Sequence, residues 1–123
     1  MLGNSKVVAT IAVSDIEKGK EFYGGTLGLK QVDEDKGGVT YESGGGTLYV
    51  YESSTAGSGQ ATCAWWGVSD VEAAVTELAG KGITFEHYDM PGGTREGDIH
   101  VMGDMKAVWF KDPDGNILSV GTA

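Results

Sequence analysis

Apolar residues along the chain follow a pattern that occurs twice. The stretch VVATIAV at 7–13 runs into Val13-Ser14-Asp15, and ATCAWWGV at 61–68 runs into Val68-Ser69-Asp70; at the same offset Glu17 matches Glu72 and Gly25 matches Gly80. Self-similarity of this kind marks a duplicated structural unit. In each copy S-D-[IV]-E predicts a capping box, in which the serine oxygen accepts from the N–H three residues on while the glutamate reaches back to the serine N–H. Helices are therefore expected to be capped at Ser14 and Ser69. In the second, Val71, Ala74, Val75 and Leu78 form one apolar stripe that Gly80 and Gly82 close; in the first, Ile16, Phe22 and Tyr23 do so less regularly.

Three short segments with strand character follow each helix: LKQVDE, GVTYES and TLYVYE, then ITFEHY, KAVWFK and ILSVGT. Gly37-Gly38, Gly44-Gly45-Gly46 and Asp112-Pro113-Asp114-Gly115-Asn116 supply turns between them. The expected class is α+β, with two βαβββ modules at about 5–52 and 61–121 of a single domain 1–123, joined by a Ser/Gly-rich linker at 53–60. Residues 89–104, rich in glycine and charge, read as a loop over one end of a pocket.

Because strand side chains alternate, each strand next to a helix can be given two faces. Ile11 and Val13, Leu48 and Val50, Ala64 and Trp66, Phe110, and Leu118 and Val120 are expected under the helices. The opposite faces then carry Thr10, Tyr49 and Tyr51 in the first module and Cys63, Trp65, Trp109 and Ser119 in the second. These seven are the candidate ligand-binding residues, an apolar lining with a few polar groups, expected to form one cup.

Composition narrows the partners. A formal charge of -9 with only nine lysines and arginines argues against nucleic acid, which requires a basic footprint. No apolar run approaches the roughly 18 residues of a membrane span. The lone Cys63 fits a reducing cytoplasm, so a cytoplasmic location is expected, and no targeting segment is read at the N-terminus. His87 and His100 fall in the sixth strand and the long loop, where structural roles are expected. Asp112, Asp114 and Asn116 read as turn chemistry and Gly44-Gly45-Gly46 as a hairpin.

The stretches VSDIEKGKEFYGGTLGL at 13–29, VSDVE at 68–72 and WFKDPDGNIL at 109–118 resemble the vicinal oxygen chelate superfamily of glyoxalase I, bleomycin-resistance proteins and extradiol dioxygenases. The resemblance implies paired βαβββ modules whose curved mixed sheets form a cup, usually in a homodimer. It also implies a divalent metal held at the first and last strands of each module. The matching positions here are Val8, Tyr49, Cys63 and Ser119, none a usual ligand for such a site, so no metal and no cofactor is expected. The leading reading is a small-molecule-binding protein that sequesters an aromatic or cationic compound as bleomycin-resistance proteins do, with no catalytic residue assigned. The alternatives are a lyase, isomerase or dioxygenase of the superfamily whose altered metal site recruits Glu86, His87 or His100, and a non-catalytic regulatory module.

Overall fold

A computed structural model describes residues 1–123, and the chain divides into two compact units, Met1–Ser58 and Gly59–Ala123. In the first, β1 (Ala9–Val13) leads into helix α1 (Ile16–Lys20), which widens into a π-type segment over Glu21–Thr26. Strands β2 (Lys30–Glu34), β3 (Gly38–Ser43) and β4 (Gly46–Glu52) follow. They form one sheet in the order β1-β4-β3-β2, with β1 parallel to β4 and the other pairs antiparallel. Alternation sets its core: Ile11, Val13, Leu48 and Val50 are buried as expected, joined by Val39, Tyr41, Phe22 and Tyr23.

The second unit repeats the opening and then departs from it. Strand β5 (Thr62–Val68) leads into α2 (Val71–Gly80), followed by β6 (Phe85–Glu86), β7 (Thr94–Glu96), β8 (Ile99–Met102), β9 (Met105–Lys111) and β10 (Ile117–Thr122). The sheet runs β5-β10-β9-β8-β7, and β6 pairs with β9 opposite Phe110 and Trp109 while β8 pairs opposite Ala107 to Met105. Two short strands thus share one edge of β9. Phe85, Ile99, Val108, Phe110, Leu118 and Val120 form the core together with Val71 of α2.

Three expectations are corrected. There are ten strands rather than eight, because residues 89–104 contain the β7–β8 hairpin instead of an open loop, and the segment ITFEHY contributes only the two residues of β6. The helices begin where expected, but their caps are Asp15 and Asp70, not Ser14 and Ser69: Asp15 Oδ1 accepts from the N–H groups of Glu17 and Lys18, and Asp70 Oδ1 accepts from that of Ala73. The glutamates pair with lysines, Glu72 with Lys106 and Glu17 with Lys20. His100 lies not in a loop but on β8, and is buried.

Candidate functional site

In the second unit, strand pairing puts the candidate residues on one face. Trp109 lies opposite Ser119 on β10 and Glu86 on β6, Ser119 lies opposite Trp65 on β5, and one step along β9 Ala107 lies opposite both Gly121 and His100. Directly opposed residues share a face, so this face carries Trp65, Trp109, Ser119 and His100 together. Sequence alternation found the first three. His100 was missed, although Gly97-Asp98 and Gly103-Asp104 frame Ile99–Met102 as a strand between two tight turns, with Gly97 at φ +62° and Gly103 at φ +60°.

Trp109 is fixed at its centre. Its indole Nε1 donates to Thr62 Oγ1 at 3.0 Å, while the rings of His100 and Tyr88 meet it edge-on, with centroids 5.0 Å and 5.7 Å away at interplanar angles of 89° and 78°. A ring held from three sides presents a set π surface rather than a rotating one. Tyr88 begins the strap between β6 and β7, and its backbone N–H donates to His100 Nε2 at 2.9 Å. His87, just past β6, is exposed, and its Nε2 lies 2.7 Å from Asp98 Oδ1.

Two cavities adjoin this arrangement. One, of about 490 Å³, is lined by His100, Arg95 and Met102 from the β7–β8 hairpin and by Tyr88, Met90 and Pro91 from the strap. The other, of about 320 Å³, has Trp109, Thr62 and Ile117 in its wall, and Tyr88 and Met90 border both. Both fall at the size of small-molecule pockets.

Trp65 is placed differently. A Cβ added at Gly67 would lie 2.7 Å from its Cη2, and one at Gly121 would lie 2.9 Å from its Nε1, so the indole lies across two glycines that only an absent side chain leaves open. It remains 52% exposed. Ser119 is 2% exposed, and its hydroxyl turns back to donate to Val108 O at 3.0 Å. The Cys63 thiol donates to Ile117 O at 3.3 Å, and its pKa is raised, chiefly by desolvation and then by the charge of Asp112.

In the first unit, Thr10 lies opposite Tyr49, and Ala12 opposite Tyr51, across β1 and β4. Tyr49 and Tyr51 stack with centroids 6.1 Å apart at 12°. The Tyr49 hydroxyl donates to Asp35 Oδ1 at 2.9 Å, and the same oxygen accepts from the N–H groups of Gly37 and Gly38. These three bonds, the phenol's first, hold the Asp35 carboxyl below its ordinary pKa, while the carboxylate raises that of Tyr49.

The donor chemistry at the positions matched to metal ligands does not fit a divalent ion. Val8 has no donor atom; Tyr49 is a phenol bound to Asp35; Ser119 is a neutral hydroxyl spent on a backbone carbonyl; and Cys63 is held as a thiol, whereas metal binding needs the thiolate. Asp112 is likewise committed, accepting from the N–H groups of Asp114 and Asn116 and from the Asn116 side chain to hold its turn.

A family model described as Glyoxalase/Bleomycin resistance protein/Dioxygenase superfamily matches residues 7–120. No curated protein matches the sequence. Among solved structures, TnmS3, an antibiotic binding protein from Streptomyces sp. CB03234, superposes with a TM-score of 0.73 at 23% identity, covering 99% of this chain and 98% of that one. A lactoylglutathione lyase from Agrobacterium tumefaciens gives 0.71 at 17% identity, covering 98% and 94%. A glyoxalase/bleomycin resistance protein/dioxygenase from Alicyclobacillus acidocaldarius gives 0.70 at 18%, covering 97% and 91%. At these identities the likeness is one of fold. No helix of the chain is long and apolar enough to cross a membrane.

Proposed function

The chain belongs to the glyoxalase/bleomycin resistance protein/dioxygenase superfamily, and from that premise we propose that it binds an apolar, aromatic small molecule on the face of its second unit without a protein-held metal. The observation that carries this reading is the Trp109 ring, fixed by Thr62, Tyr88 and His100 beside cavities of about 490 and 320 Å³. The donor chemistry at Val8, Tyr49, Cys63 and Ser119 favours binding over metal-assisted catalysis. An antibiotic-binding protein of the same fold makes sequestration of a harmful compound a coherent role. A neutral or cationic ligand suits the protein best, since a cation gains from the net charge of -9 and from the ring quadrupole.

Trp65 and Trp109 are the stacking residues of this proposal, with Cys63 and Ser119 beneath; Thr10, Tyr49 and Tyr51 are a second stacking face on the first unit. The protein acts in the cytoplasm as a homodimer, association covering the open edges of its sheets. Light scattering at high micromolar concentration is expected to give the dimer mass, and a monomer overturns that part.

Tryptophan fluorescence titration with cationic, neutral and anionic aromatic compounds, in buffer containing a chelator, tests the binding reading. Binding is expected to survive chelation and to weaken severalfold to about thirtyfold in Trp109→Ala, the equivalent of up to about 2 kcal/mol of ring interaction. Binding that is lost on chelation, or that the Trp109→Ala and Trp65→Ala variants retain in full, refutes it.

A further inference from the structure

His100 is 2% exposed, its Nε2 accepts from the Tyr88 backbone N–H, and its Nδ1 is buried with no hydrogen-bond partner in the chain. A nitrogen that accepts an N–H presents its lone pair, so the hydrogen of the neutral ring is on the other nitrogen. The strap's backbone thus sets the tautomer, and Nδ1–H is the form left over. Protonating the ring would instead bring two donors face to face at Tyr88. The outcome is a buried N–H donor without an acceptor, in a residue class where pairing is the rule.

The same residue lines the cavity of about 490 Å³, whose wall is apolar at Met90, Pro91 and Met102 and polar at Asp89, Thr94 and Arg95. Its ring also stands edge-on to Trp109. A donor at that place can recognise a single acceptor atom on a molecule whose apolar body lies along the face. Charge narrows the acceptor. Arg95 and Asp89 both border the cavity and the Arg95 guanidinium donates to Gly97 O, so with a net charge of -9 a neutral oxygen is favoured over an anionic one.

We propose that His100 Nδ1–H is the recognition donor for a carbonyl oxygen, so that the site selects planar apolar molecules bearing a ketone or amide carbonyl over hydrocarbons of the same shape. This rests on the reading of the second unit's face as a ligand site and names what that ligand must carry. Because Nδ1 is closed to solvent, a carbonyl reaches it with a local shift of the cavity wall and then bonds in a dry setting, where water does not compete.

The test uses 2-acetylnaphthalene and 2-isopropenylnaphthalene, which are close in shape and differ in a methylene standing where the carbonyl oxygen is. The chain has two histidines, so ¹⁵N-histidine labelling gives two imidazole systems to resolve. The ketone is expected to bind several-fold, up to about tenfold, more tightly than the hydrocarbon, as one added hydrogen bond allows. It is expected to move the His100 Nδ1–H resonance downfield, and the hydrocarbon is not. Two variants separate recognition from support of the strap. His100→Asn keeps a donor near the Nδ1 position and is expected to keep the ketone preference. His100→Gln keeps an acceptor for Tyr88 but no donor at Nδ1, and is expected to bind the two naphthalenes equally, with any loss from the missing ring beside Trp109 common to both. A ketone preference retained in His100→Gln, or a ketone that binds without moving the Nδ1–H signal, overturns the proposal. Equal binding of the two naphthalenes by the parent overturns it alone, whereas failure of both to change tryptophan fluorescence overturns the binding reading with it.

Discussion

The two units open in the same order of elements and end with different capacities. Each begins strand, aspartate cap, helix, and each ties its helix to the sheet by a surface ion pair, Lys20 to Glu34 at 2.9 Å in the first and Lys106 to Glu72 in the second. Beyond the helix the first unit adds three strands and fixes the half-buried Tyr49 with one carboxylate, Asp35, at a turn where the adjoining cavity is only about 160 Å³. The second unit adds the strap and the β7–β8 hairpin, which bring Tyr88 and His100 to Trp109 and give the face walls. The contrast teaches that the duplicated scaffold supplies the face, while the inserted segment supplies the walls of the cavity beside it.

The glycines beside the aromatics sharpen this contrast. In the first unit a Cβ at Gly38 would lie 2.2 Å from Val50 O, a backbone atom that cannot turn aside, so Gly38→Ala is expected to cost about 1–3 kcal/mol or more in urea denaturation. In the second, a Cβ at Gly67 meets the far end of the half-exposed Trp65 ring. Gly67→Ala is expected to leave stability within about 1 kcal/mol of the parent while changing Trp65 emission. Equal destabilisation of both variants breaks the distinction between a rigid first face and an adjustable second one.

The caps come next in size. Asp15→Ala and Asp70→Ala are each expected to lower stability by about 1 kcal/mol, and Ser14→Ala and Ser69→Ala by less. A larger loss at the serines contradicts the cap assignment. The smallest effect concerns Cys63, whose thiol pKa is raised by desolvation. The folded thiol ionises at higher pH than the unfolded one, so its contribution to stability is present below the ordinary cysteine pKa and is lost as pH rises through the raised value. Alkylation by iodoacetamide at pH 8 is therefore expected to be slower in the native protein than in urea, and a faster native reaction refutes the shift.

Much of the fold was legible because it rests on local signals. Alternation separated Ile11 and Val13 from Thr10, and Leu48 and Val50 from Tyr49 and Tyr51, since one side of a strand under a helix must be apolar. The cap was misplaced by one residue because serine and aspartate at Ser14-Asp15 and Ser69-Asp70 are both good caps, and the choice depends on where the glutamates go. That in turn depends on Lys106, distant in sequence from Glu72. Trp109 was found by parity alone. His100 is not marked in this way, because the strand carrying it is only four residues long and its glycine-framed turns share the composition of a loop. Its bond to Tyr88 joins segments whose proximity exists only once β8 pairs with β9.

The central claim is that the second unit's face binds the ligand, and amide chemical-shift mapping of ¹⁵N-labelled protein tests it most directly. Titration with 2-acetylnaphthalene in the presence of chelator is expected to give the largest shifts at Thr62, Trp65, Tyr88, Met90, His100, Trp109 and their neighbours. Residues of β1 to β4 are expected to move less. Shifts concentrated around Tyr49 and Tyr51, or no saturable shifts anywhere in the chain, contradict the account.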